Sequence, residues 1–382
     1  MRVLFVSWAW PSHYYPMVPL AWAMRAAGHD VRVASQPGLQ AAIRSSGLPG
    51  VSVGRDIDVI TRQRPLLERV GPVRVRVPLD QLREKITTAF RIFADLADVM
   101  LDDLLDFGRA WRPDLVVYEP TTYAGPLAAA VLGVPAVRHT WGIDYTYRAH
   151  EYEPEVLAPL CDKLGIPAVE TLGTVTVDVC PPSLQVPTTY RRLGMRYIPY
   201  NGPGLLPRWL TEPKERPRVC VTWGTSSTRL DDGLFLADDV VKAAVDLDAE
   251  VVVTVTPADH ERLRPVPAHL RVVEALPLHL LVPSCDLVIH QGGLGTTLTT
   301  AWAGVPQLVI PQLHDQGLNA VQLKAAGAGS LVYGVEATPD LIRDEAAEVL
   351  GTAAYRTAAR TLATEMSRQP APHETVSALR EI

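Results

Sequence analysis

Short apolar, β-branched runs alternate with stretches of helical spacing along the chain. In the first half RVLFV leads to MVPLAWAMRAAG, DVRVAS to GLQAAIRSSG and DLVVYE to YAGPLAAAVLG, and VPAVRHT ends the series. Runs of this length between helical segments predict parallel strands buried on both faces of a βαβ sheet. Gly28 and Gly133 fall where the helices should stop. The pattern then starts again. PRVCVTWG, EVVVTV, HLRVVEAL, CDLVIHQGG and VPQLVIP predict strands, and LFLADDVVKAAVDL, LGTTLTTAWAG and QGLNAVQLKAAGAG predict helices.

Between the two series lies PYNGPGLLPRWLTEPKERP, dense in Pro and Gly and charged near its end, the composition of an interdomain linker. The predicted class is α/β, with two doubly wound, Rossmann-like domains facing a cleft. The expected boundaries are 1–200 for the first domain, 201–217 for the linker and 218–355 for the second domain. Residues 356–382 are expected to be C-terminal helices returning to the first domain. Ligands of such sheets bind outside the carboxyl ends of the strands. Residues from about 55 to 80 show no clear period and are expected to form a mobile loop near the cleft.

Composition narrows the function. With 382 residues, 47% hydrophobic and 20% charged, the chain can bury a large core. Its formal net charge of −6 argues against a nucleic-acid footprint. Cys161, Cys180, Cys220 and Cys285 are scattered without metal-ligand spacing, which predicts reduced packing residues in a cytoplasmic protein and no zinc site. No run approaches the roughly 18 apolar residues needed to span a bilayer, so no membrane insertion is expected.

The most specific stretch is HQGGLGTTLTTAWAGVPQLVIPQLHDQGLNA. A predicted strand ends at His290, Gly292, Gly293 and Gly295 form a turn, and Thr296 and Thr297 open a helix. Glycines let the backbone approach an anion, and the first helical turn offers N–H donors and the positive end of its dipole, which suits a diphosphate. His290 would add a hydrogen-bond donor, cationic if its partner raised its pKa. Asp315 and Gln316, beyond the next strand, suit the hydroxyls of a sugar. Asp315 could equally cap the helix that follows.

The HQGG.GT pattern followed by VPQLVIP and DQ..NA resembles the donor-site signature of GT-B-fold glycosyltransferases, above all the bacterial branch that decorates antibiotics from dTDP-deoxysugars. The likeness extends through RPDLVVYE, VPAVRHTWGID, CPPSLQ, RYIPYNG, VTWGT and PLHLLVPSCDLVIH. It implies that His290 and the backbone from Gly292 to Thr296 hold the donor diphosphate, with Thr225 adding a contact. It implies that Asp315 and Gln316 face the sugar and that main-chain atoms near Leu276 and Leu278 pair with the base. Two departures stand out: Ala275 where many relatives carry Trp, and Gln291 where His is frequent.

The resemblance also addresses SWAWPSHYYP, the aromatic stretch after the first strand. It implies that His13 is the general base that activates the acceptor hydroxyl, a task suited to imidazole near neutral pH. Glu119, at the end of DLVVYE, occupies the place of the acid that orients such a base. The alternatives are a helix cap for His13 and a solvated strand-end acid for Glu119. Trp8, Trp10, Tyr14 and Tyr15, with Trp141, Tyr145 and Tyr147, could line an apolar acceptor pocket together with Asp144, and about half of the aromatics should reach it, since strand side chains alternate.

The implied reaction is inverting O-glycosylation of a hydrophobic, polyketide-like aglycone in antibiotic biosynthesis, with the dTDP-sugar as co-substrate, no cofactor and no metal. Asp231 and Asp232 are expected to be solvated. Competing readings are a C-glycosyltransferase using Asp144 as base, a non-catalytic helper of the same fold, a GT-B epimerase and a lipid-acceptor transferase. A nicotinamide dehydrogenase falls behind because no G-x-G-x-x-G follows the first strand. Sugar, acceptor, any auxiliary protein and oligomeric state stay open, a homodimer included.

Overall fold

The computed structural model describes residues 1–70, 79–225, 234–263 and 270–382. Two wholly parallel sheets carry the fold. The first has seven strands in the order β3-β2-β1-β4-β5-β6-β7, with β1 at Arg2–Val6, β2 at Asp30–Ser35, β3 at Gly50–Ser52, β4 at Leu115–Tyr118, β5 at Ala136–His139, β6 at Val175–Asp178 and β7 at Arg192–Gly194. The second has six in the order β10-β9-β8-β11-β12-β13, with β8 at Arg218–Thr222, β9 at Glu250–Val255, β10 at Arg271–Glu274, β11 at Leu287–His290, β12 at Gln307–Val309 and β13 at Gly329–Leu331. Strands such as β4 (LVVY) and β8 (RVCVT) are buried at every position, as strands covered on both faces must be.

The order of each sheet reverses once, between β1 and β4 in the first and between β8 and β11 in the second. Register pairs Val6 with Tyr118 and Thr222 with His290, so the residues following each pair leave the same edge of their sheet. Those edges are where a doubly wound sheet binds ligands.

Residues 59–70 are helical (Val59–Val70), which corrects the expected loop there; residues 71–78 lie outside the described residues. A 33-residue helix, Leu79–Trp111, packs on the helix Ala124–Leu132 and covers one face of the first sheet. Its buried Phe90, Ala94, Ala97, Leu101 and Leu104 recur at three- and four-residue spacing. Gly133 ends the helix Ala124–Leu132 at φ 67°, a left-handed cap that glycine adopts without strain.

The other face of the first sheet is continuous with the second half. One apolar cluster includes Val3, Phe5, Met17 and Val117 together with Leu294, Leu298, Leu323, Leu362 and Met366. The helix Ala353–Arg368 packs on the helix Leu294–Trp302, and its Glu365 accepts from Ser183 N–H at 2.9 Å. The final helix, Pro372–Leu379, packs on Val18–Ala26 of the first half.

Candidate active site

Trp10 is extended (φ −137°, ψ 108°), and Pro11 opens a single helical turn, Pro11–Tyr14, on which His13 stands. Proline suits the first helical position because its fixed φ is already helical and its missing N–H is not needed there. His13 keeps a side-chain exposure of 15%, whereas Glu119, just past β4, is wholly buried. Their Nδ1 and Oε2 atoms lie 3.2 Å apart. A buried carboxylate is costly unless its oxygens are bonded. Glu119 accepts from the Thr121 N–H at 3.0 Å, from the Thr121 hydroxyl at 2.9 Å and from the Thr122 hydroxyl. The His13 ring stacks on Trp141 with centroids 4.4 Å apart and meets the edge of Trp8 at 5.1 Å.

The aromatic stretch divides differently from the expected lining. Tyr14 is fully buried in the core with its hydroxyl 2.6 Å from Ser46 Oγ, so it is corrected from pocket to packing residue; the helical turn points it away from His13. Trp8 is 3% exposed, stacked on the half-buried Trp10, and its indole N–H donates to Thr121 at 3.0 Å. Tyr15 packs edge-on against Tyr200, and Tyr147 stacks on His150. Trp141 stacks on His13, the half-buried Tyr145 meets Trp141 at 6.1 Å, and the half-buried Trp10 stacks on Trp8.

Asp144 is also corrected. Arg138 grips it with two bonds of 2.7 and 2.8 Å, and Tyr190 and the Thr146 hydroxyl donate at 2.7 and 2.8 Å. Burial alone would push its carboxyl up. The Arg138 guanidinium and the two hydroxyls more than reverse that and hold it below the usual carboxylate range. A carboxylate so completely engaged is neither a base nor part of a pocket lining.

In the second half, the loops after β8 and β11 lie side by side. Gly224 (φ 68°) sits against the Gln291 side chain: a Cβ there would come within 2.5 Å of Gln291 Nε2. Gly293 caps the helix Leu294–Trp302 without a side-chain bond, and its first turn includes Gly295 and Thr296. Thr225 is exposed directly after β8.

His290 is not free to donate to a diphosphate as expected, because both of its ring nitrogens are engaged within the protein. The Gly292 N–H donates to its Nδ1 at 3.0 Å, so the ring proton is on Nε2, which faces Gln307 Oε1 at 2.8 Å. Burial lowers its pKa to about 4 against the pull of Gln307. The imidazole is neutral and braces the glycine turn, which Asn319 holds from the other side through the Gly292 carbonyl at 2.8 Å.

Leu313 is the N-cap of the helix His314–Ala325, and Gln316 in the first turn reaches back to it, its Oε1 accepting the N–H groups of Gln312 and Leu313 at 3.0 and 3.1 Å; Asp315 is not the cap. Burial raises the Asp315 carboxyl above its usual range, against the backbone N–H groups of Gln316 and Asp315 and the charge of His13, which pull it down without reversing the shift. Leu276 and Leu278 are half-buried on a small apolar cluster. Ala275 beside them has φ 51°, unusual for a residue with a side chain.

Thr121, Thr122, Gln307 and Asn319 were not among the residues expected at the site. Thr121 and Thr122 directly follow the Glu119–Pro120 step, and a buried strand-end acid followed by hydroxyl residues is the signal that could have found them.

Two doubly wound parallel sheets, with a His–Glu pair at the switch point of one and a glycine-rich helix start at that of the other, fit a nucleotide-sugar-dependent glycosyltransferase of the GT-B fold. The chain belongs to the erythromycin biosynthesis protein CIII-like family, whose N-terminal domain model matches residues 22–224 and whose C-terminal model matches 238–382. It is 38% identical to the 10-deoxymethynolide desosaminyltransferase of Streptomyces venezuelae, over 97% of this chain and 95% of the relative. It is 37% identical to the TDP-daunosamine transferase DnrS of Streptomyces peucetius, over 100% of this chain and 97% of the relative. Among solved structures, spinosyn rhamnosyltransferase SpnG complexed with thymidine diphosphate superposes with a TM-score of 0.87 at 32% identity, covering 100% of both chains. Glycosyltransferase VinC in complex with dTDP gives 0.85 at 35%, covering 100% of this chain and 99% of the other.

Proposed function

We propose that this enzyme is an inverting O-glycosyltransferase that moves a deoxysugar from a dTDP-sugar to a hydroxyl of a polyketide-type aglycone. The observation that supports it most is the His13–Glu119 pair at the switch point of the first sheet. The named relatives transfer desosamine and daunosamine, and the two structural neighbours hold dTDP.

In this mechanism Nε2 of His13 takes the proton of the acceptor hydroxyl as its oxygen attacks the anomeric carbon, with Glu119 steadying the imidazolium. The bond from that carbon to the diphosphate oxygen breaks on the opposite face, and dTDP leaves with the electron pair, so the configuration inverts. Charge on the diphosphate meets the N–H groups at the start of Leu294–Trp302 and Thr225, preorganised donors of the kind that stabilise such leaving groups. Asp315, with the main chain around it, takes the sugar. We assign no catalytic metal: among the described residues no three His, Cys, Asp or Glu side chains converge as ligands, and Asp231 and Asp232 lie outside them.

We place the enzyme in the cytoplasm, since all four cysteines are free and buried. Among the described residues no helix is long and apolar enough to cross a membrane. C-glycosylation through Asp144 is disfavoured by its grip from Arg138, and a non-catalytic role by the intact His13–Glu119 pair.

Calorimetric binding of dTDP and UDP without added metal, on wild type, His290→Ala and His13→Ala, tests this reading. The expected outcome is dTDP binding weakened by His290→Ala and kept by His13→Ala, while His13→Ala lowers kcat by roughly 10²–10⁴-fold. Absence of nucleotide binding, or equal loss in both variants, overturns it.

A further inference from the structure

Two threonine hydroxyls beside His13 are each approached by a group that can only donate. The indole N–H of Trp8 reaches Thr121 Oγ1 at 3.0 Å, and the backbone N–H of Trp8 reaches Thr122 Oγ1 at 3.0 Å. Each hydroxyl therefore accepts at that contact, and its single proton goes elsewhere. Glu119 receives both protons: Thr121 Oγ1 is 2.9 Å from Oε2, and Thr122 Oγ1 is bonded to Oε1. The Thr121 N–H donates to Oε2 as well, at 3.0 Å. The carboxylate thus accepts on both oxygens.

The Nδ1 atom of His13 stands 3.2 Å from Glu119 Oε2 and 3.2 Å from Thr121 Oγ1. Neither oxygen has a proton left to offer. Nδ1 must carry the proton, and Nε2 keeps the lone pair that a base needs.

We propose that Trp8 and Thr121 are positioning residues for the transfer: the Trp8 indole fixes the Thr121 hydroxyl so that it donates to Glu119 and accepts from His13, which holds the imidazole as its Nδ1–H tautomer. The carboxylate draws the hydroxyl proton, the hydroxyl gives Nδ1–H a second acceptor beside Glu119, and the indole, bonded to another lone pair of that hydroxyl, keeps it between the two. The catalytic consequence rests on His13 being the base, whereas the tautomer assignment does not.

Long-range proton–nitrogen spectra of protein labelled at histidine report the tautomer directly, with the His13 signals assigned by their loss in His13→Asn. Wild type is expected to show Nδ1–H. Thr121→Val keeps the branched shape without the hydroxyl. It is expected to populate the Nε2–H tautomer and to lower kcat about tenfold or more with little change in KM for the donor. Thr121→Ser restores both readouts. Trp8→Phe, which keeps Thr121 and the aromatic stack, shifts the tautomer in the same direction.

The proposal is overturned if Thr121→Val and Trp8→Phe both leave His13 as Nδ1–H, or if Thr121→Ser fails to restore that form. Should Thr121→Val not fold, the tautomer in Trp8→Phe decides alone. If His13→Ala keeps its kcat, the reading of His13 as base fails while the tautomer result stands or falls on its own spectrum.

Discussion

The imidazole of His13 lies nearly parallel to the indole of Trp141, with ring centroids 4.4 Å apart and planes 25° from parallel. The stack fixes the ring plane that the Glu119 bond alone leaves free to turn. Aromatic pairs of this kind are worth about 0.5–1.5 kcal/mol, so Trp141→Leu should slow turnover by up to about tenfold and Trp141→Phe by less. Steady-state kinetics on the two variants check this; full kcat in Trp141→Leu would make the stack incidental.

Trp141 is carried on the chain that follows β5, and the Arg138–Asp144 pair pins both ends of that turn. Removing one partner of a buried ion pair costs about 3–5 kcal/mol. Asp144→Asn should lower the urea midpoint accordingly while the molecules that remain folded still make an O-linked product. Lost turnover at unchanged stability would return Asp144 to the chemistry.

Gly292 has φ 95°, and a Cβ there would come within 2.9 Å of Val309 Cγ1 and 3.1 Å of the Gln316 carbonyl. Strain of about 1–3 kcal/mol should therefore fall on the turn that leads into the helix Leu294–Trp302. Calorimetry on Gly292→Ala is expected to show dTDP affinity down about tenfold or more. Unaltered affinity would place the diphosphate elsewhere.

His139 is fully buried, with Nδ1 2.8 Å from the Thr140 carbonyl and no partner for Nε2 among the described residues, and burial lowers its pKa to about 4. The unfolded chain takes up this proton near pH 6.5 and the folded chain only near 4. The stability it contributes is thus complete above 6.5 and is lost as pH falls from 6.5 towards 4. The loss should reach about 2 kcal/mol at pH 5. Urea unfolding of wild type and His139→Leu at pH 7 and pH 5 checks this, and the variant should lose less stability between the two. An equal loss would mean that His139 does not titrate on unfolding.

The strand pattern was readable wherever β-branched runs were long: RVLFV, DVRVAS, EVVVTV and CDLVIH all pair as parallel strands. The short strands β3, β7 and β13, unlike β12 with its longer apolar flank VPQLVIP, carry too little pattern to register. The helix Leu79–Trp111 carries a clear period and was nonetheless not among the predicted elements, because the indistinct segment before it masked its start. At the site, residues that follow strand ends at a switch point were legible, since topology alone brings them together. What depended on side-chain direction was not. Tyr14 turns inward because its helical turn begins at Pro11, and Asp144 meets Arg138 only once the chain doubles back after β5. The role of His290 turned on Gln307, 17 residues away on the neighbouring strand.

The apolar cluster that runs from Val3 and Phe5 to Leu298 and Met366 ignores the boundary that the two sheets draw. Counted by architecture, the protein has two domains. Counted by the contacts that must break together on heating, it has fewer, because either half, if severed, would present Leu294, Leu298 and Leu323 or their partners to water. The two halves are thus expected to unfold as one cooperative unit, so that a lesion in the core of either reaches the other as lost stability.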